Sequence, residues 1–170
     1  MLNDDMRMDA LRVASKLKLN DWCLAAGFVR TLIWDKLHGY EQATTLDDID
    51  LIYFDEDNCG KKIDQQKEYH LKKISDYPWS VKNQARMHLR NRDMPYVSSS
   101  DAMTYWVELQ AAIGAKLSVN GDIIILAPFG LKIFFDNSIT LNQKRPKPNA
   151  FKNRVREKKW LEKWPNLIVN

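Results

Sequence analysis

The chain has 170 residues, 45% hydrophobic and 28% charged, enough for one domain with a core and too apolar for wholesale disorder. No apolar run nears the roughly 18 residues a membrane span needs, and the opening MLNDDMRMDAL is acidic where a secretion signal is basic then apolar, so no membrane partner is expected. The net charge of +4 is uneven: residues 143–163 hold nine Lys and Arg against Glu157 and Glu162, a local +7 that leaves −3 for the rest. Cys23 and Cys59 make neither a disulfide framework nor a paired C-x-x-C zinc motif, and a reducing cytoplasm is the expected compartment.

Met6, Ala10, Val13, Ala14 and Leu17 recur at helical spacing, with Asn3 or Asp4 as N-cap, and Asn20-Asp21 breaks the pattern. The short apolar run Trp22–Ala26 leads through Gly27 into a helix over Phe28–Leu37, closed by His38-Gly39. Ile49–Phe54 is β-branched and aromatic, hence a strand. A turn over Asp55–Gly60 and an exposed polar helix over Lys61–Ser75 follow. An extended run over Ser80–Leu89 would set Trp79, Val81, Asn83, Ala85 and Met87 on one face, and Lys82, Gln84, Arg86 and His88 on the other.

Ser98 and Asp101 form a capping box for a helix burying Ala102, Tyr105, Trp106, Leu109 and Ile113. Ala115-Leu117-Val119, Asn120-Gly121 and Ile123-Ile125 predict a hairpin with a two-residue type I′ turn. After Pro146 and Pro148 comes a basic helix interleaved with Phe151, Val155, Trp160, Leu161 and Trp164. Its tryptophans are expected to dock it on the body while its lysines stay in water; contact with a nucleic-acid backbone is the other reading of the charge. Helices alternating early with strands, then a late hairpin, give an α+β fold, with residues 1–170 as one domain and 143–170 as a basic segment packed on it.

The chemistry concentrates in Ala25–Arg30 and Leu46–Phe54. On a strand Asp48 and Asp50 project to the same side, and two close carboxylates call for a cation. A hard divalent ion such as Mg²⁺ takes one or two carboxylates together with substrate phosphates. Gly27 opens a helix whose free N–H groups favour phosphate, and Arg30, one turn in, can pair with a phosphate or brace a carboxylate. The D-x-D pair alone reads more readily as a turn cap; joined to G-x-V-R at this separation it describes a nucleotide-handling site. Asp55–Gly60 begins like a calcium loop, but Cys59 and Gln66 stand where ligands are required. P-loop and dinucleotide fingerprints are absent, and His38, His70 and His88 lie too far apart for a zinc motif.

Gly27–Arg30 followed by Asp48-Ile49-Asp50-Leu51 resembles the nucleotidyltransferase superfamily with the DNA polymerase β-like catalytic fold, which includes the CCA-adding enzymes. More narrowly, the chain resembles a family of small bacterial nucleotidyltransferase-like proteins in the blocks 27–39, 46–55, 78–89 (PWSVKNQARMHL), 98–106, 126–131 and 160–165. The resemblance implies a mixed sheet flanked by helices, Ala26-Gly27 on the phosphate-binding turn, and Asp48 and Asp50 as catalytic ligands of Mg²⁺ or Mn²⁺. It also implies an NTP as substrate, with an acceptor that can be RNA, protein or a small molecule. Active members add a third carboxylate from a later strand; here that strand carries Lys82, Asn83, Gln84 and Arg86, candidates for nucleotide contacts, and no acid. Asp101, Asp122 or Asp136 are the candidates to replace it. The missing acid, which typically costs 10²- to 10⁴-fold in rate when it is a general base, keeps two other readings open: a degenerate member that binds nucleotide or RNA without turnover, and a protein-interaction module.

Overall fold

The computed structural model describes Met1 and residues 3–170. Helix α1 (Asp5–Ser15) is capped by Asp4, whose carboxylate accepts the Arg7 N–H at 2.9 Å. Strand β1 (Cys23–Ala25), fully buried, runs into helix α2 (Gly27–Leu37). Strand β2 (Ile49–Tyr53) and helix α3 (Lys61–Ile74) stand as expected, followed by strand β3 (Trp79–Asn83) and two short helices, α4 (Met87–Asn91) and α5 (Ser99–Met103). Strands β4 (Gly114–Leu117) and β5 (Ile123–Leu126) form the hairpin; β6 (Ser138–Ile139), helices α6 (Pro148–Glu157) and α7 (Trp160–Lys163), and β7 (Ile168–Val169) complete the chain.

The main sheet has the order β3-β2-β1-β4-β5, with β2 and β3 parallel and the other neighbours antiparallel. Alternation splits its two faces. Leu24, Leu51 and Val81 enter the principal core with Leu11, Phe28 and Leu71, so α1, α2 and α3 cover that face. Ala25, Asp50 and Ile52 belong to the other face, where Cys23, Ala25 and Ile52 pack against Met103 and Ala112. Strand β4 approaches β1 closely: a Cβ on Gly114 would stand 2.5 Å from the Cys23 sulfur and 3.3 Å from the Leu24 carbonyl oxygen. α1 is tied to α2 by the fully buried Arg7, which donates to the Phe28 carbonyl and the Thr31 hydroxyl and pairs with Asp4.

Four expectations are corrected, three of them before the basic segment. The extended run ends at Asn83, and residues 84–91 turn helical, because the Asn83 side chain caps the turn by accepting the Ala85 N–H at 3.0 Å. His88 therefore shares no strand face with Lys82; its Nδ1 bonds the Ala85 carbonyl. Half of the capping box forms: Ser98 accepts the Asp101 N–H, while the Asp101 carboxylate takes the Val97 N–H in place of Ser98's, and the helix stops at Met103. Beyond it, the Asn142 amide donates to the Thr104 and Trp106 carbonyls, a long-range clamp that holds the chain out of helix. Only Gly121 has positive φ in the hairpin turn, which is the wider Ser118–Gly121 turn closed by Gly121 N–H to Ser118 O at 3.0 Å.

The basic segment docks through its aromatic residues. Trp160 and Trp164 meet Trp34 edge-on at centroid distances of 5.8 and 5.0 Å, beside Phe151, Ile139 and Leu167. The Trp164 indole donates to Asp35 Oδ1 at 2.7 Å, and Tyr40 donates to the Lys163 carbonyl. The predicted single basic helix is broken at Lys159, whose φ is 52°, which re-aims α7 onto α2. Among the described residues no helix is long and apolar enough to cross a membrane.

Candidate functional site

The β1–α2 junction turns sharply at Ala26, at φ 53° and ψ −117°. Its N–H donates to Ile113 at 2.8 Å and its carbonyl accepts from the Arg30 N–H at 2.9 Å, which fixes the first turn of α2. Gly27 is the first helical residue; a Cβ there would meet Arg30 Nη2 at 3.9 Å and Thr31 Cγ2 at 4.0 Å, both ordinary contacts. The strained conformation falls on Ala26, not on the glycine.

Ala26, Gly27, Arg30, Asp48 and Asp50 all border one cavity of about 270 Å³. Asp50 lies on β2 opposite Ala25 and beside Ser80 of β3. Burial, and then the neighbouring Asp48, hold the Asp50 carboxyl above its ordinary range, offset in part by the Ser80 hydroxyl, Lys158 and Lys82. Arg30 is buried with its guanidinium against the rings of Trp34 and Trp160, 4.9 and 4.8 Å from their centroids. Its Nε and Nη1 have no hydrogen-bond partner, and burial pushes its pKa down to about 10, so it remains a cation at neutral pH.

The basic segment borders this cavity. Arg154, Lys158, Trp160 and Lys163 line it. Lys158 Nζ lies 3.9 Å from Asp48 Oδ2, and Lys163 Nζ 3.5 Å from Asp47 Oδ2. The local charge excess was visible in the sequence; that Trp160 and Trp164 would carry it over the carboxylates had no local signal.

A second cavity, of about 320 Å³, shares Ala26, Asp50 and Arg154 with the first. Lys82 and Gln84 line it, together with Ser80 and Glu108. Asn83 and Arg86 border neither cavity. Register sets Asn83 beside Tyr53 on the opposite face of the sheet, where it is fully buried and its amide donates to the Asp55 and Asn58 carbonyls. Arg86 pairs with the buried Asp64 on that same side. Both are structural ties.

Asp101, Asp122 and Asp136 serve in caps and turns and line neither cavity. The buried acid near Asp50 is Glu108, from the loop between α5 and β4, whose Oε1 accepts from Arg154 Nε at 2.6 Å. Among the described residues no three His, Cys, Asp or Glu side chains converge as a metal cluster. The donor set still fits a hard divalent ion: two carboxylates border one cavity, Asp50 is raised by burial and then by Asp48, and phosphates and water can complete the coordination.

The chain matches the family described as Nucleotidyltransferase over residues 12–169. It is similar, at 32% identity and a TM-score of 0.82, to an NMR structure described as revealing a CCA-adding enzyme head domain; the match covers 98% of this chain and 90% of that one. Two solved structures, of a tRNA-processing enzyme in a complex and in an apo form, match at 14% and 15% identity, both with a TM-score of 0.58. They cover 94% and 98% of this chain but only 42% and 43% of theirs, and show the fold alone. Comparison with curated proteins gave no match. With the family match spanning nearly all of its length, and the head-domain structure matching its mixed sheet and helices, the chain belongs to the nucleotidyltransferase family and has its α+β fold.

Proposed function

We propose that the protein transfers a nucleotidyl group from a nucleoside triphosphate to a hydroxyl acceptor, with Asp48 and Asp50 holding Mg²⁺ or Mn²⁺. The observation that carries this reading is the convergence of the two carboxylates, the N-terminus of α2 and the cations Arg30, Lys158 and Lys163 on one cavity. When bound, the ion neutralises the carboxylates and the triphosphate charge. The N-terminus of α2 at Gly27 offers helix N–H groups to phosphate oxygens, and Lys158 and Lys163 border the same space. Arg30, buried without hydrogen-bond partners on two nitrogens, supplies fixed positive potential behind them. The acceptor oxygen attacks the α-phosphorus and forms a new P–O bond. The bond to the β-phosphate bridging oxygen breaks, pyrophosphate leaves with that electron pair, and the hydroxyl proton passes to a base on the acceptor side.

Lys82 and Gln84 belong to the acceptor half of this proposal, since they border Asp50 from the second cavity. Both cysteines are free thiols, in keeping with the proposed cytoplasmic setting.

The test is a thermal-shift titration with each NTP, with and without Mg²⁺ or Mn²⁺. Wild type is expected to be stabilised only with metal and nucleotide together. Asp48→Asn with Asp50→Asn is expected to lose that response and keep its unliganded melting temperature; an unchanged response removes the site assignment. A second reading, nucleotide binding without turnover, is favoured by β3 having no acid and by the absence of a three-carboxylate cluster among the described residues. Metal-dependent binding with no pyrophosphate release under any acceptor selects it. An interaction module, the third reading, predicts no NTP binding at all.

A further inference from the structure

Resting on that reading, we infer that the second cavity is the acceptor site and that it takes a hydroxyl compound bearing phosphate close to that hydroxyl, as a ribonucleotide or an RNA end does. Displacement at phosphorus runs in line, so the nucleophile must approach from the side away from the departing pyrophosphate. The two cavities meet at Asp50, Ala26 and Arg154, and the phosphate-facing groups Gly27, Arg30, Lys158 and Lys163 border the first alone. The second is therefore the available approach.

Its lining describes the ligand. Glu108 is 1% exposed; Arg154 holds its Oε1, while its Oε2 is buried with no hydrogen-bond partner. A buried carboxylate oxygen without a donor is costly, and a ligand hydroxyl supplies the donor. Around the same cavity stand Lys82, Arg90, Arg145 and Lys147. Arg145 is paired with Asp93, but among the described residues Arg90 and Lys147 make no ion pair. Burial, then Arg145, push the Lys147 ammonium below its usual range, with Arg90 adding to the effect against Asp93, as in a patch short of anions. Tyr105 and Trp106 add flat aromatic surface for a sugar or base. In the transfer step, the acceptor's hydroxyl proton goes to Glu108 Oε2 as the acceptor oxygen bonds phosphorus and pyrophosphate leaves.

The experiment fills the first cavity with the magnesium complex of α,β-methylene-ATP, which cannot transfer, and then titrates fluorescent hexa-adenylate, AMP and 2′,3′-dideoxy-AMP. Wild type is expected to bind hexa-adenylate or AMP, and dideoxy-AMP about tenfold more weakly than AMP, the size of one hydrogen bond to a carboxylate. Arg90→Ala with Lys147→Ala removes two cations without ion pairs. It is expected to weaken the phosphate-bearing probe at least tenfold and to flatten its salt dependence, while binding of the ATP analogue stays within twofold. Binding of AMP as well as hexa-adenylate assigns a small phosphorylated acceptor, and binding of hexa-adenylate alone assigns an RNA end. Equal affinity for AMP and dideoxy-AMP where AMP binds, no probe binding to wild type, or unchanged probe binding in the double variant overturns the inference. If wild type fails to bind the ATP analogue at all, the nucleotidyltransferase reading fails instead, and the two failures stay distinct.

Discussion

At the scale of single residues, the site is built from two unfavourable choices. Ala26 occupies a backbone conformation, φ 53° and ψ −117°, that glycine adopts readily and alanine does not. Such strain costs about 1–3 kcal/mol, while glycine's extra freedom in the unfolded chain costs about 0.4–1. Ala26→Gly is therefore expected to raise stability by about 1 kcal/mol, read by urea denaturation; a loss of stability would mean the turn is relaxed. Arg30 is the second choice: a buried guanidinium lacking partners on two nitrogens, compensated by contact with the rings of Trp34 and Trp160. Arg30→Met keeps the stem and removes the charge. Because lost cation–π energy and relieved desolvation are of similar size, stability should stay within about 1 kcal/mol, whereas MgATP affinity should fall at least tenfold. A stability loss with intact affinity would make Arg30 a packing residue. The sequence points to Gly27, Arg30, Asp48 and Asp50 because each carries a local motif. It leaves Glu108 and Ser80 unmarked, since a lone acid in Trp106–Leu109 and a serine in β3 have no pattern of their own.

At the scale of elements, what could be read in advance is what local forces decide. β2 with its β-branched run, α3 with its polar face and the Ser98 cap with Asp101 all form where their residues call for them. The misread elements are those ended by distant partners: β3 is stopped where the Asn83 amide reaches Asp55 and Asn58, and α5 where Asn142 claims the carbonyls of Thr104 and Trp106. The consequence for the site is direct, because the early end of β3 turns Arg86 to Asp64, while Lys82 and Gln84, with Arg90 from the following helix, line the second cavity. The buried bond in the docking of α7 is the Trp164 indole to Asp35, which also accepts from the Thr44 N–H and hydroxyl; the Tyr40 hydroxyl to the Lys163 carbonyl is its exposed companion. Trp164→Phe preserves much of the aromatic packing and removes that donor. It should cost about 1.5–3 kcal/mol, the range for a hydrogen bond to a charged group. Thermal denaturation checks it, and a change below about 0.5 kcal/mol would show that the indole–Asp35 bond does not hold α7.

At the scale of the whole molecule, the basic pI of about 9.0 belongs to a segment that folds back onto an acidic body, so the charge asymmetry of the chain becomes the charge of the two adjoining cavities. Without ligand, Lys158 and Lys163 face Asp48 and Asp47 across half-exposed ion pairs. Exposed pairs of this kind contribute about 0–1 kcal/mol each, so the two lysines are nearly free to exchange partners. A divalent ion on Asp48 and Asp50 takes over the carboxylate charge, and triphosphate oxygens then become the lysines' natural partners. α6 and α7 should consequently tighten only when metal and nucleotide bind together. Hydrogen exchange over 148–164 is expected to slow with MgATP and to be unchanged by Mg²⁺ alone. Lys158→Ala with Lys163→Ala should leave unliganded stability within about 1 kcal/mol, yet weaken MgATP at least tenfold and abolish the added protection. At saturating ligand, binding contributes about 2.7 kcal/mol of stability at one hundred times the dissociation constant. The same loss should therefore appear as a smaller melting shift at fixed MgATP. Full protection in the double variant would mean that the segment is a passive cover, and that the helix N-terminus and Arg30 hold the triphosphate without it.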